Sequence, residues 1–260
     1  MSALRSGTEE VGRLTSHSIR SIKELIPTLR YAAEILRQAG ILLTGSALIL
    51  VGMEVVIGGE CGLFTAYLSK SFGASGAVGL FSLVCDEREM FPYMFGYILA
   101  AKVGCGLVAE IGSMRIAEEI DAMEVMGIPA IRYIVGTRVF AAIIVLPIAY
   151  LMCLAAGTFG SYFVIVVQIG NVSSAGWASG AFGPAHTIGL DFESLIKAMA
   201  IGITIILVGT YYGYTASGGP VGVGKATARS MMVNLVMIHF IGGSLSLLFW
   251  GTNVKLPIGG

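Results

Sequence analysis

Acidic side chains are concentrated in one stretch of the chain, residues 110–127, which we predict to form a helix. Five of the sixteen Asp and Glu residues lie there. They are Glu110, Glu118, Glu119, Asp121 and Glu124. A solvated helix that only connects two other elements is one interpretation of this pattern. We favour the other, a docking surface for a basic partner in water, and we expect no metal-binding or catalytic role for these carboxylates.

This predicted helix has an apolar ridge. Ile116, Ile120 and Met123 share one side of a 3.6-residue helical wheel, opposite most of the acids. We expect the ridge to rest on the remainder of the protein. Arg115 is predicted to pair with Glu119, which lies four residues later on the same helix. Gly127 ends the segment.

A glycine-rich stretch, residues 219–227, nearly matches the phosphate-binding pattern G-x-x-x-x-G-K-[ST]. Ala226 stands where that pattern needs the magnesium-binding hydroxyl, and no nucleotide-binding domain surrounds it. We therefore predict a tight turn that joins two apolar segments. The residues assigned to this predicted cytoplasmic loop are Gly219, Gly222, Gly224 and Lys225.

Two short motifs, GASG at residues 73–76 and HFIG at 239–242, are typical of rhomboid-like intramembrane serine proteases. A Ser75–His239 pair would supply a nucleophile and its base. Both motifs are too short to be specific, and a packed polar role for His239 is the simpler interpretation. An intramembrane protease therefore stays an alternative function.

Charged residues inside apolar segments form a further candidate site. A charge at the centre of a membrane costs roughly 2.5–3.5 kcal/mol on insertion scales, so it needs a partner or a wet cavity. Glu54, Glu89 and Lys102 are the candidate side chains of a polar cavity or gate, with a structural ion pair as the alternative. An ion-coupled secondary transporter would also use such charges, but the sequence shows no inverted repeat.

The composition is that of an all-α integral membrane protein. Hydrophobic residues make up 55% of the 260 residues, charged residues 12%, and the mean hydropathy is +0.83. The net charge of zero gives no indication of nucleic-acid binding. Five segments approach the roughly 20 residues that cross a bilayer. They are residues 41–60, 91–110, 131–155, 195–216 and 229–250. A sixth apolar run, residues 74–85, is predicted to be a short re-entrant or interfacial helix that ends at the charged cluster 86–89.

The N-terminal region is predicted to contain an interfacial amphipathic helix over residues 17–38, with a kink at Pro27. A soluble helix that packs on a core is the weaker alternative. Its apolar face consists of Ile19, Ile22, Ile26, Leu29, Ala33 and Leu36. We therefore divide the chain into an N-terminal cytoplasmic part, residues 1–39, and a transmembrane domain, residues 40–260.

Basic residues predict the orientation, because cytoplasmic loops carry an excess of Lys and Arg. With the N-terminus inside, eleven Lys and Arg residues fall on the cytoplasmic side and three outside. The acidic helix is then cytoplasmic and the C-terminus external. Cys61 and Cys85 are predicted to share an external loop, where a disulfide is the alternative to the free buried thiols that we favour. Cys105 and Cys153 fall in apolar spans.

Several stretches of the chain carry a family resemblance: AKVG (101–104), EIGSMR (110–115), EEIDAMEVMGI (118–128), Arg88-Glu89 with Pro92, and YTASGGPVGVG (214–224). They resemble the signature of MlaE/YrbE permeases, the membrane subunits of Mla and Mce lipid-transport ABC systems. The resemblance covers roughly residues 40–250, and the GGPVGVG form with the basic N-terminal helix is most similar to actinobacterial YrbE proteins, in particular the B-type partner. Lys102 stands where the family commonly has arginine, and Cys105 replaces a small serine-like residue.

This resemblance implies a non-catalytic subunit of an ATP-driven lipid transporter in the cell membrane. The acidic helix becomes a coupling helix that docks on a cytosolic MlaF/MceG-like ATPase, which binds ATP and Mg²⁺; this chain binds no cofactor. The family dimerises, here with a paralogue, around a lipid cavity and exchanges lipid with extracytoplasmic MCE-domain proteins. Import is the favoured direction. Phospholipid, fatty or mycolic acid, and sterol all suit an apolar cavity. The coupling role falls on Arg115, Glu118, Glu119, Asp121, Glu124 and Gly127.

Overall fold

The computed structural model describes residues 2–184 and 186–251, with side chains from residue 8 onward. Within these ranges the regular structure is entirely helical. The α-helices are α1 (Ser2–Lys23), α2 (Leu25–Thr28), α3 (Ala32–Ser71), α4 (Val78–Leu83), α5 (Phe91–Leu99), α6 (Cys105–Ile116), α7 (Glu119–Val125), α8 (Thr137–Tyr162), α9 (Ser174–Ala181), α10 (Ile188–Tyr214) and α11 (Gly219–Trp250). Short 3₁₀ turns (Leu29–Tyr31, Ser75–Ala77) and π-helical segments (Val84–Met90, Ala100–Gly104, Ile131–Gly136, Phe163–Ile169) connect several of them.

Five helical stretches in the described residues are long and apolar enough to cross a membrane. This confirms the predicted all-α class with five spans, each containing or overlapping a predicted segment. The stretches are longer than predicted because the helices continue beyond the predicted apolar segments. They are Leu25–Ser71, Ser75–Ile116, Ile131–Ile169, Ile188–Tyr214 and Gly219–Trp250.

Two predicted boundaries are wrong. The apolar run 74–85 is not a separate helix, because the second span continues from Ser75 to Ile116. Its charged cluster does not interrupt the helix: Asp86, Glu87 and Arg88 lie in the π-helical segment Val84–Met90 and are buried. The predicted loop 219–227 is likewise helical, since α11 begins at Gly219. The actual turn precedes it and uses the positive φ angles of Gly218 and Gly219.

The described residues form two compact units, each assembled from three parts of the chain. The first unit contains residues 2–46, 99–146 and 202–236. The second contains residues 47–98, 147–184 with 186–201, and 237–251. The predicted external C-terminus at 260 lies outside the described residues.

In the first unit, the helical pattern changes around Pro27: α1 ends at Lys23, the short helix α2 contains Pro27, and α3 begins at Ala32 after a 3₁₀ turn. The predicted apolar face points away from the protein: Ile26 is 81% exposed, and Ile19, Ile22, Leu29, Ala33 and Leu36 are also exposed. The opposite side packs inward, where Thr28 is fully buried against Gly136. Glu24 pairs with Arg132 at 2.7 Å. An outward apolar face fits contact with lipid and does not fit a helix packed on a soluble core.

In the second unit, the first and third spans approach each other through glycine. A Cβ at Gly58 would overlap the carbonyl group of Gly157, and a Cβ at Gly160 would overlap that of Val55. Small residues permit such close helix packing in a membrane, where packing replaces the hydrophobic effect as the driving force.

A disulfide joins Cys61 on α3 to Cys85 on the second span. The expectation of free thiols at these two positions is wrong, and so is the prediction that both cysteines lie in one loop. Both cysteines are instead on helices, and the π-helical segment from Val84 helps to bring them together, with Cα atoms 6.2 Å apart. Cys105 and Cys153 lie in spans as free thiols, as predicted.

Substitution of Gly58 tests the helix contact. We expect Gly58→Ala to lower the free energy of unfolding by about 1–3 kcal/mol, because the added methyl overpacks a backbone contact. Gly52→Ala on the same helix is the matched control, since nothing lies within 4 Å of a Cβ there. It should be neutral or slightly stabilising. Thermal unfolding of both variants in detergent measures the difference, and equal effects would contradict the packing argument.

His17 makes the packing of α1 sensitive to pH. Its ring contacts Tyr211 with centroids 5.6 Å apart. Burial, and secondarily the Arg20 charge, lower the pKa of His17 from 6.5 to about 4. The unfolded chain takes up this proton below about pH 6.5 and the folded chain only near 4, so stability is lost as the pH falls through this window.

Between pH 7.5 and pH 5.5 we therefore expect wild type to lose about 1 kcal/mol of folding stability through His17. The His17→Phe variant should lack this loss. Thermal unfolding at the two pH values measures this difference. A wild-type protein and a His17→Phe variant with the same pH dependence would show that the imidazole is not the responsible group.

Candidate coupling segment and polar clusters

The acidic stretch is two helices, not the single helix predicted. Helix α6 ends at Ile116, and α7 begins at Glu119. Between them Glu118 adopts a left-handed backbone conformation with φ of 57°, the only positive φ of a non-glycine residue in the described chain. This conformation costs an L-residue roughly 1–2 kcal/mol, and it turns α7 away from the α6 axis.

The break at Glu118 changes the predicted side-chain contacts. Arg115 forms its ion pair with Asp121 and not with Glu119, because the i+4 register does not continue across the break. Ile116 is exposed for the same reason. Ile120 keeps its predicted role: it is fully buried and packs with Ile111, Ala130 and Ile134, while Met123 packs at the edge of this cluster.

The acids of α7 project outward, as predicted from the apolar ridge. Glu118, Glu119, Asp121 and Glu124 are all exposed. Glu124 also accepts a hydrogen bond of 2.9 Å from the Tyr214 hydroxyl, at the end of α10. The segment is therefore an exposed acidic surface. The buried side chain of Ile120 and the hydrogen bond from Tyr214 hold it in place.

Gly127 closes α7 with a defined cap. Its φ is 78°, and the N–H groups of Gly127 and Ile128 donate to the carbonyls of Glu124 and Met123 at 3.0 and 2.9 Å. This is the Schellman arrangement, which satisfies the last carbonyls of a helix and favours glycine at this position. Pro129 follows and prevents the helix from continuing.

A cavity of about 240 Å³ lies in the first unit and contains one of the predicted cavity residues, Lys102. Its wall is mostly apolar, with five polar side chains, Gln38, Ser46, Lys102, Glu110 and Arg138. Arg138 is buried and donates 2.6 Å to Glu110 and 2.8 Å to the Ile134 carbonyl. Glu110 is thus a cavity residue held by an ion pair, apart from the exposed acids of α7.

Glu54 lies in the second unit and is fully buried. Neither of its carboxylate oxygens has a hydrogen-bond partner in the part of the chain that the structure describes. Asp86 is also buried in this unit and accepts a 2.9 Å hydrogen bond from Ser82. A carboxylate buried without a donor is expensive unless it is protonated. The geometry therefore suits a neutral Glu54.

Glu89 has a partner that the sequence analysis missed. Lys197 is fully buried, and its ammonium group donates to Glu89 at 2.8 Å, to the Arg88 carbonyl at 2.7 Å and to Ser246 at 2.7 Å. It also lies 4.4 Å from the centre of the Tyr93 ring. Lys197 is the third residue of the predicted span 195–216, so the rule that selected Glu54 and Lys102 for their depth did not select it.

The protease motifs do not form a recognisable dyad. His239 contacts the Tyr97 hydroxyl through Nε2 at 2.8 Å and packs beside Tyr93. Ser75 lines a surface pocket with Ser69, Lys70 and Asn171 among apolar residues. His239 is nevertheless exposed, so the simpler interpretation of a residue packed between helices is wrong for its burial, although the ring contacts two tyrosines of the second span. Lys225 lies in α11. Helix α10 precedes α11 in the chain, whereas a phosphate-binding loop requires a strand at that position.

Glycine at position 118 should stabilise the segment. Glu118→Gly removes a left-handed strain of roughly 1–2 kcal/mol and adds roughly 0.5–1 kcal/mol of backbone entropy cost, so we expect a net gain of about 0.5–1 kcal/mol. Glu119→Gly is the matched control, because it also removes a glutamate side chain but at a residue whose backbone is helical. It should lower the free energy of unfolding by about 1 kcal/mol. Thermal unfolding decides, and effects of the same sign would show that position 118 is unstrained.

Comparison with known proteins identifies the family. A family model described as Permease MlaE matches residues 35–248. The chain is 29% identical over 244 residues to a probable ABC transporter permease protein of Rickettsia conorii, and 28% identical over 244 residues to one of Rickettsia bellii; each match covers 93% of both chains. A probable ABC transporter permease protein of Porphyra purpurea is 34% identical over 176 residues, 66% of each chain. The chain therefore belongs to the MlaE permease family.

Proposed function

We propose that this chain is the permease subunit of an ATP-driven lipid transporter of the Mce/Mla type. The single observation that carries the proposal is the family match over residues 35–248. An MlaE permease is a multi-pass membrane subunit without catalytic residues of its own, and the relatives are named as probable ABC transporter permeases. A cytosolic ATPase of the MlaF/MceG kind, which binds ATP and Mg²⁺, is then the partner that supplies energy. The chain itself needs no cofactor.

Docking of this ATPase is assigned to the coupling segment, which we define as residues 115–127. Its carboxylates are exposed, so they are available to a basic groove. Its base is rigid, because Ile120 is fully buried and Arg115 pairs with Asp121. A rigid-body push on α7 is transmitted through Ile120 and through the Tyr214–Glu124 hydrogen bond to α10. The acids provide the mechanical contact for this movement.

The cavity that contains Lys102 is the proposed lipid-contact site of the first unit. Its volume of about 240 Å³ is below the range of roughly 300–1,000 Å³ of whole small-molecule sites, so it suits one part of a lipid. The apolar wall fits an acyl chain, and Lys102 beside the Arg138–Glu110 pair offers a cation for an acidic group. Phospholipid, fatty acid and mycolic acid share that acidic character, whereas a sterol does not.

The orientation follows from charge and is supported by the disulfide. The excess of Lys and Arg places the coupling segment and the N-terminal residues 1–39 in the cytoplasm. The Cys61–Cys85 disulfide favours an extracytoplasmic position for that end of the second unit, because disulfides persist in oxidising compartments. Residues 40–260 then form the transmembrane domain, with the C-terminus external. Import, from an MCE-domain protein into the cell membrane, is the favoured direction.

Within the family, the GGPVGVG stretch and the basic N-terminal helix favour an actinobacterial YrbE-like chain of the B type. Such a chain pairs with a paralogue, so a heterodimer is the expected assembly.

An ion-coupled secondary transporter is a second candidate, favoured by one observation: Glu54 and Asp86 are acids buried within spans. Transport that continues after removal of the ATPase would support that candidate.

The decisive experiment reverses the charge of the coupling segment. We expect combined Glu118→Lys, Asp121→Lys and Glu124→Lys substitutions to abolish co-purification of the ATPase from native membranes and to stop lipid transport, because cations would then face a basic groove. Mass spectrometry of the purified complex and a lipid-uptake assay measure the two effects.

Two controls separate docking from folding. Glu9→Lys changes an exposed acid on α1 and should leave both readouts unchanged. The neutral triple variant, with Gln, Asn and Gln at positions 118, 121 and 124, should weaken binding less than the lysine variant. A lysine variant that retains the ATPase and transports normally would refute the docking role.

A further inference from the structure

Three metal-ligating side chains converge in the second unit, outside the coupling segment and the Lys102 cavity. Glu87 lies on the π-helical segment Val84–Met90, His186 in the connector before α10, and Asp191 in the first turn of α10. One ligating atom from each residue lies within 4.8 Å of the others. We propose that Glu87, His186 and Asp191 bind a divalent transition-metal ion, with Zn²⁺ as the best fit. The sequence alone had given no indication of such a site.

The distances match a zinc site. Zn²⁺ binds imidazole nitrogen and carboxylate oxygen at about 2.0–2.2 Å, so two ligands at the tetrahedral angle lie about 3.3 Å from each other. His186 Nε2 is 3.1 Å from Asp191 Oδ1 and 3.6 Å from Glu87 Oε1. Two of the three pairs thus already have separations close to the one that a bound ion imposes, and the Glu87–Asp191 pair lies within 4.8 Å.

The charges at this site require a cation. The Glu87 side chain is only 8% exposed, and its Oε2 has no hydrogen-bond partner among residues 8–184 and 186–251. A ligating oxygen of Asp191 lies within 4.8 Å of one of Glu87. Two adjacent carboxylates repel each other unless a proton or a metal ion lies between them. One protonated imidazole neutralises only one of the two negative charges, whereas a divalent ion neutralises both.

The surrounding contacts hold the ligands in place. The Ser194 hydroxyl donates 2.6 Å to the Glu87 carbonyl, and Ser194 is itself in hydrogen-bond contact with Tyr150. The Phe182 ring lies edge-on to the His186 ring, with centroids 5.5 Å apart. Such support around the ligands reduces the reorganisation that metal binding requires.

The donor set selects among ions. Ca²⁺ and Mg²⁺ take oxygen ligands almost exclusively, so an imidazole disfavours them. Imidazole with carboxylates suits Zn²⁺, and three protein ligands leave one position for water. The partial exposure of His186 and Asp191, 23% and 38% of their side chains, provides access for the ion. Once bound, it would connect the His186 region to the second and fourth spans.

The test measures metal binding by the full-length protein in detergent. After treatment with a chelator and dialysis against Zn²⁺, we expect one ion per chain by mass spectrometry of the metal content. We also expect Zn²⁺ at 100 times its dissociation constant to raise the unfolding temperature by about 5 °C, because it binds only the folded chain.

Variants identify the ligands. His186→Ala and Asp191→Asn should each lower Zn²⁺ affinity at least about 100-fold, since loss of a supporting group alone costs 10–100-fold. Asp191 is the most exposed ligand, so its variant is the least disruptive to folding. His239→Gln, which changes a histidine elsewhere in the same unit, should retain the ion. Elution in size-exclusion chromatography checks that every variant is folded.

Two outcomes would overturn the proposal. The first is that wild-type protein binds no Zn²⁺. If Glu87→Gln then also stabilises the protein without added metal, a proton shared by the two carboxyl groups is the explanation. Equal Zn²⁺ content in wild type and in both ligand variants would show that the ion binds elsewhere. Neither result bears on the ATPase-docking experiment, so the two proposals stand or fall separately.

Discussion

A charged side chain inside a membrane must be neutralised within the protein, because hydrocarbon offers it neither water nor counterions. Lys197 shows how this constraint shapes the second unit. Its ammonium group is fully buried and uses all three donors, on Glu89, Ser246 and the Arg88 carbonyl. Three separate parts of the chain thereby meet at one cation. Removal of any one of these acceptors would leave a buried charge partly unsatisfied, which is far more costly than the loss of one surface ion pair.

The π-helical segments serve the same constraint. A π-helical turn adds a residue to the helical repeat and so rotates the side chains that follow it relative to those before. In the segment Val84–Met90 this rotation turns Asp86, Glu87 and Arg88 into the protein, although they lie next to each other in sequence. The same segment carries Cys85 to Cys61 and Glu87 towards His186. One irregularity of the backbone thus makes a charged cluster compatible with a membrane span.

Much of this architecture could be predicted because hydropathy acts over whole segments. The five spans and the outward acids of the coupling segment follow from patterns of ten residues or more. The failures concern single residues. Sequence assigned Arg115 to Glu119 because nothing in the pattern indicates a left-handed Glu118. It ended a helix at Asp86 because a π-helical segment has no signature in hydropathy. Lys102 lies in the middle of its predicted span and Lys197 near the end of its own, yet Lys102 is exposed beside a cavity and Lys197 is fully buried.

The left-handed Glu118 also explains why the acids of the coupling segment are available at all. If α6 continued through residue 118, Arg115 would face Glu119, and the apolar ridge would have to be buried along its whole length, from Ile116 to Met123. The break allows Ile116 to remain exposed while Ile120 alone anchors α7. Helix α7 is then held by one buried residue, by a hydrogen bond from Tyr214 to Glu124 and by a glycine cap at its end. Such a helix suits the proposed coupling role, because its own geometry is fixed at both ends and its contacts with the protein are few. Backbone strain of this kind persists where the surrounding structure enforces it. Here the buried Ile120 before the cap and the Arg115–Asp121 ion pair across the break are the contacts that do so.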